Sequence, residues 1–263
     1  MLEQPTPTQQ AALVAVTAGS RLKPFRRACQ GHEGPALELY LLDARLASHI
    51  HGHLRIVELV LRQQMHVALK AAYGDRWFDN ATGAGLSQDA QKKIRDAYDT
   101  LNPPRRKPGA RPAPRPPADK VVAALMLGFW TALLRAPRDV DHEATLWTPT
   151  LDGCFNGARQ PSAAVWTMAQ TQKRCQRLNW ARNRVNHCES VVFGFPQPGQ
   201  AQGIQLRHSP AGIIEDCRVL VGRFSGEVEA WMRASTAVDQ LIAHPLAQQA
   251  LAYSANQSGR KIL

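Results

Sequence analysis

The chain has 263 residues, 44% of them apolar, five cysteines and a formal net charge of +11. That length supplies one large or two small hydrophobic cores, and no run reaches the ~18 uninterrupted apolar residues of a membrane-spanning helix. The cysteines are odd in number, scattered and without a CxxC pair, so neither a zinc knuckle nor a dithiol motif is indicated, and no basic stretch followed by an apolar run marks a secretory signal, so the cytoplasm is the expected location.

Arginine supplies 24 of the 32 basic residues, and arginine is the side chain that forks onto phosphate. The balance favours an anionic partner, most simply nucleic acid. GC-rich coding, which raises Arg, Ala and Pro together, is the competing source of the same charge.

Helical periodicity dominates in chain order. Over 36–73 there is no proline and a single glycine, Gly52, and Leu54, Val57, Leu61, Met65 and Leu69 form one apolar stripe. Glu58 and Arg62 stand beside it at i,i+4. On the same predicted helix His49, His51 and His53 invite a metal reading. No third and fourth ligand with motif spacing accompanies them, so an exposed polar face is the preferred reading and no metal or other cofactor is expected. A second helix is expected over 87–101, with Ser87 as its cap. The stretch 102–117 holds seven prolines and five basic residues, which forbid regular helix and favour an extended, flexible arm, either embracing RNA or merely solvated. Beyond it Asp119 can cap a helix to about residue 135, and a short element covers 143–147. Ser162 opens a helical region towards 193, and the stretch Phe195-Pro-Gln-Pro-Gly199 interrupts it. Helices near 212–234 and 238–253 close the chain. The expected fold class is all-α.

Placed on a helix, Leu178, Ala181, Val185, Cys188 and Val192 fall within an arc of about 80° that can dock on a core. Arg182, Asn183, Asn186 and His187 occupy a separate polar arc nearly opposite. Solvated helix faces usually carry Glu and Lys, whereas interior Asn costs a few tenths of a kcal/mol relative to such formers. Hydrogen bonds that orient His187 or a phosphate would compensate. The same Arg-x4-His spacing recurs at Arg27–His32, but without Asn after the Arg and with Gly31 breaking the helical pattern.

Arg182-Asn183-x-x-x-His187 resembles the RNxxxH signature of the HEPN superfamily, and the run Leu178-Asn-Trp-Ala-Arg-Asn-Arg-Val-Asn-His-Cys-Glu189 resembles its Abi-like (abortive-infection) branch. Cys188 stands where that branch carries a second His. Ser20-Arg-Leu, 40–46, Leu54-Arg-Ile-Val-Glu-Leu-Val-Leu-Arg62, Tyr73-Gly74, Trp77-Phe78, Gly128-Phe-Trp130 and Leu146-Trp147 continue the likeness in order over roughly 20–195.

The resemblance implies a HEPN-type helical bundle with additional helices. The basic stretch could divide two domains or form one long loop inside a single helical domain; the second is the preferred reading, one domain over 1–263 in which 102–118 is a flexible basic loop and 196–263 a C-terminal helical extension. It also implies a metal-independent endoribonuclease of toxin or phage-defence type, cleaving tRNA or mRNA, with an antitoxin as a further partner. Cleavage through the RNA 2′-OH needs a base, an acid and positive charge on the phosphorane. Histidine serves as acid or base and arginine binds the non-bridging oxygens. Arg182, Asn183 and His187 are the catalytic candidates; Arg184, Asn186, Glu189, Arg62 and His66 are weaker site-lining ones. For Arg62 and His66 a packing or pairing role with Glu58 is the preferred reading. One chain offers one motif His where two are needed, and the resemblance implies that a homodimer supplies the second. The alternative is a non-catalytic HEPN-fold module that binds RNA or protein.

Overall fold

The 36–73 periodicity is realised as one long helix because nothing in it breaks the chain and its stripe has a core to bury: Leu54, Val57, Leu61, Met65 and Leu69 are each no more than 1% exposed. The computed structural model describes residues 5–17, 19–102, 114–157, 164–200, 205–257 and 259–263. The expected arm therefore lies mostly outside the described residues, as does Ser162. Asn102 donates through Nδ2 to the Pro114 carbonyl at 2.8 Å, and helix resumes at Ala118.

The first helices are α1 (Pro7–Val16), α2 (Gly19–Ala28), α3 (Glu33–Tyr73) and α4 (Gln88–Leu101). Next come α5 (Ala118–Ala124), α6 (Leu127–Ala132), α7 (Asp152–Asn156) and α8 (Met168–Asn186). The last four are α9 (Pro210–Gly222), α10 (Gly226–Ala234), α11 (Ala237–Ala243) and α12 (Pro245–Ala255). A 3₁₀ turn covers Trp77–Asn80 and a π-helix covers Glu143–Leu151. Three short strands, β1 (Phe195–Pro196), β2 (Gln205–His208) and β3 (Arg260–Ile262), lie in the order β1-β2-β3, antiparallel then parallel. The chain is mostly helical, and no helix among the described residues is long and apolar enough to cross a membrane.

Several boundaries differ from the periodicity. The helix expected from 119 to 135 breaks at Leu125–Met126, where side chains take the backbone groups a continuous helix would use. Glu58 Oε1 accepts the Leu127 amide at 3.2 Å, and the Trp130 indole donates to the Leu125 carbonyl at 2.9 Å. The two expected C-terminal helices are four. Pro245 disfavours helical backbone at the residue before it; His244 is extended (ψ 134°) and caps α12 by accepting the Leu246 amide on Nδ1.

The chain divides into two compact units, both discontinuous in sequence: 1–54 with 180–218 and 231–263, and 55–179 with 219–230. In the first, Phe25 packs edge-on to Tyr40 and against Phe193, with ring centroids 5.3 Å apart in both pairs. In the second, Trp77 contacts Phe78, Phe129 and Trp130, while Phe155 joins Trp147 to Phe224.

Candidate active site

Helix α8 begins with a reciprocal cap. Thr167 Oγ1 accepts the Gln170 amide at 3.2 Å and Gln170 Oε1 accepts the Thr167 amide at 3.0 Å, satisfying two of the orphan donors of a helix start. Leu178 and Ala181 are fully buried and Val185 is half-buried. The helix then stops at Asn186 instead of running on to 192. The last turn closes through the His187 amide on the Asn183 carbonyl at 3.0 Å. Cys188 N bonds Val185 O and Glu189 N bonds Arg184 O, each at 3.0 Å, with Cys188 at φ 53°. That is a Schellman ending, in which the left-handed position is usually glycine. Cys188, expected in the buried stripe, is therefore turned out and exposed, while Val192 remains buried.

Three side chains, Arg184 from within the helix and Arg21 and Asp43 from far along the chain, hold this turn. Arg184 donates from Nη1 to Glu189 Oε2 at 2.5 Å and from Nε to the Ser190 carbonyl at 2.8 Å. Arg21 of α2 donates to the Cys188 carbonyl at 2.7 Å, placing a cation where the helix presents unpaired carbonyls. Asp43 of α3 accepts the Val191 and Val192 amides on one oxygen, Oδ1, at 2.7 and 2.8 Å. Asp43 is buried, and burial pushes its carboxyl up to about 6, with the two amides and the nearby Arg184 pulling the other way. Asp43 and Arg21 are absent from the sequence-based candidates. Asp43 had a legible signal: it is an acid on the buried stripe of Leu39, Leu46 and Ile50.

Asn183, Arg184, His187 and Glu189 line one cavity of about 260 Å³ together with Trp180, Phe195, Pro196 and Pro198. His187 and Asn183 are exposed, and the His187 ring has no hydrogen bond to any described residue. Trp180, also missed from sequence, stands at i, i+3 and i+7 to Asn183 and His187, which is one helix face. Arg184 and Glu189 additionally line a larger cavity of about 580 Å³ with Arg21, Tyr40, Asp43 and Cys188. Arg182 and Asn186 are outside both linings. Arg182 is half-buried, with Nη1 3.5 Å from Asn183 Oδ1, and Asn186 is exposed.

Arg62 and His66 belong to the second unit and serve its architecture. Arg62 pairs with Glu58 at 2.8 Å. His66 Nδ1 accepts the Trp77 indole N–H at 3.0 Å; because indole only donates, that nitrogen is unprotonated. Burial lowers the His66 pKa and favours this neutral ring. His53 Nδ1 stands 3.0 Å from the His49 carbonyl, and among the described residues no three His, Cys, Asp or Glu side chains group to hold a metal ion. The second Arg-x4-His pair is split by structure: α2 ends at Ala28, and Gly31 has φ 87° before His32. Comparison of the chain with protein-family models, with curated proteins and with solved structures returns no match.

Proposed function

We propose that the protein is a HEPN-type endoribonuclease that cleaves RNA without a metal ion. The observation that carries this reading is an exposed histidine, His187, held at a helix end beside Asn183 and over a cavity, with its ring uncommitted among the described residues. In the reaction the 2′-oxygen bonds to phosphorus and the bond from phosphorus to the 5′-oxygen breaks. One histidine takes the 2′-OH proton and a second gives a proton to the leaving oxygen. Arg182 stabilises the phosphorane, and Asn183 orients the groups. The second histidine is His187 of another copy of the chain, so the active species is a homodimer.

The test is cleavage of total RNA and of tRNA by purified protein in EDTA, followed by sequencing of the new ends. Cleavage that survives EDTA and is lost in His187→Ala, with unchanged circular dichroism, is expected; undiminished cleavage by that variant refutes the reading. A second reading, a non-catalytic RNA- or protein-binding module, is favoured by one observation: Arg182 does not line the His187 cavity. RNA binding with no new ends in any RNA would decide for it.

A further inference from the structure

The chain has six tryptophans, and four have evident structural work. Trp77 and Trp130 are buried and donate to His66 and to Leu125; Trp147 stacks on Phe155; Trp166 carries the guanidiniums of Arg174 and Arg223 over its ring at 4.8 and 4.0 Å from the centroid. Trp180 differs. It is half-buried in the His187 cavity, and its indole N–H and ring have no hydrogen-bond or aromatic partner among the described residues. Tryptophan in such a place usually finds a partner for its N–H.

What else lines the cavity restricts the occupant. Among the described residues the lining holds one arginine and no lysine, and that arginine, Arg184, is engaged by Glu189 and by the Ser190 carbonyl. Beside the helix side chains the lining includes Phe195, Pro196 and Pro198, which are apolar. Pro196 is fixed by strand pairing to Arg207, whose guanidinium bonds the Phe193 and Gly194 carbonyls at 2.8 Å each. The volume, about 260 Å³, falls just short of the ~300–1,000 Å³ that hold whole small-molecule ligands. Trp180 and His187 are two helical turns apart, about 10 Å along the axis, the order of the distance from a base through its ribose to its phosphate.

We infer that this cavity is a nucleobase subsite: Trp180 stacks one unpaired base of the RNA, setting the nucleotide whose phosphate lies at His187. The inference rests on the ribonuclease reading for its meaning but is tested by binding alone. The probes are a fluorescein-labelled 2′-O-methyl oligonucleotide, which has no free 2′-OH to attack, and an abasic oligomer of the same length. Wild type is expected to bind the base-bearing probe more tightly. Trp180→Ala should weaken that probe about tenfold or more and leave the abasic one unchanged, and Trp180→Phe should stay within about threefold of wild type. Trp231→Ala, at a tryptophan 57% exposed, is the control expected to change nothing. Equal binding of the base-bearing probe by wild type and Trp180→Ala overturns the proposal. So does an equal loss on both probes, or no preference for bases in wild type. If these binding results hold and no unmodified RNA is cut, the ribonuclease reading fails and the base site stands.

Discussion

Two helical Arg/His pairs, Arg62/His66 and Arg182/His187, have opposite surroundings. In α3, Arg62 is tied to Glu58, which also takes the Leu127 amide, and His66 accepts from Trp77 at the centre of an aromatic cluster. Every one of these polar atoms serves the second unit's packing. In α8 the supporting role passes to neighbours: Arg184, Arg21 and Asp43 hold the backbone of the turn, leaving the His187 ring exposed over a cavity. Residue type is the same in both places. What separates a structural histidine from a candidate acid or base is whether its ring nitrogens are already engaged.

Exchanging the two histidines for alanine breaks the comparison most directly. His187→Ala should lower RNA cleavage by roughly 10²–10⁴-fold, the usual contribution of an acid or base, while His66→Ala keeps the cleavage rate. Equal rates for the two variants would remove the distinction.

A smaller effect is expected at Asp43. Its folded carboxyl titrates at about 6, above the ordinary carboxylate range, so the fold binds this proton more tightly than the unfolded chain does. The associated stability is fully present below about pH 4 and is lost as pH rises through about 6, a change of roughly 3 kcal/mol. Asp43→Asn keeps an acceptor for both amides and removes the titration. Urea denaturation should therefore show the variant more stable than wild type by up to roughly 3 kcal/mol at pH 7 and equal to it at pH 4. Parallel curves for the two proteins would contradict this.

Smaller again is the structural cost at His66, where alanine leaves the buried Trp77 N–H without its acceptor, about 1–3 kcal/mol in thermal or urea unfolding. The smallest is a gain. Cys188→Gly relieves a non-glycine side chain at φ 53° and should stabilise by about 1 kcal/mol; a fall in Tm would show that the thiol makes a contact worth more than the strain.

Much of the helical framework was legible because it is local. The Leu54–Leu69 stripe, the Ser87 cap, whose Oγ accepts the Ala90 amide at 3.3 Å, and the Glu58–Arg62 pair all follow from spacing within a few residues. The polar face of α8 followed in the same way. Trp180 was within reach of the same reasoning, since it shares the face of Asn183 and His187, but a tryptophan more often belongs to a core than to a site.

Other features depended on contacts far apart in sequence. Periodicity carried α8 on to Val192, because Val185 and Cys188 keep the apolar spacing and no glycine marks an end. The helix stops instead at a turn whose backbone is held by Asp43, 148 positions from Val191, and by Arg21, 167 positions from Cys188. Sequence by itself determined that the chain is helical and that Arg182, Asn183, Asn186 and His187 share a polar arc, since a 3.6-residue repeat assigns faces without reference to the rest of the molecule. Only the tertiary structure decided where that helix ends and which of its side chains reach the cavity, because buried backbone groups must find partners and here those partners come from other helices.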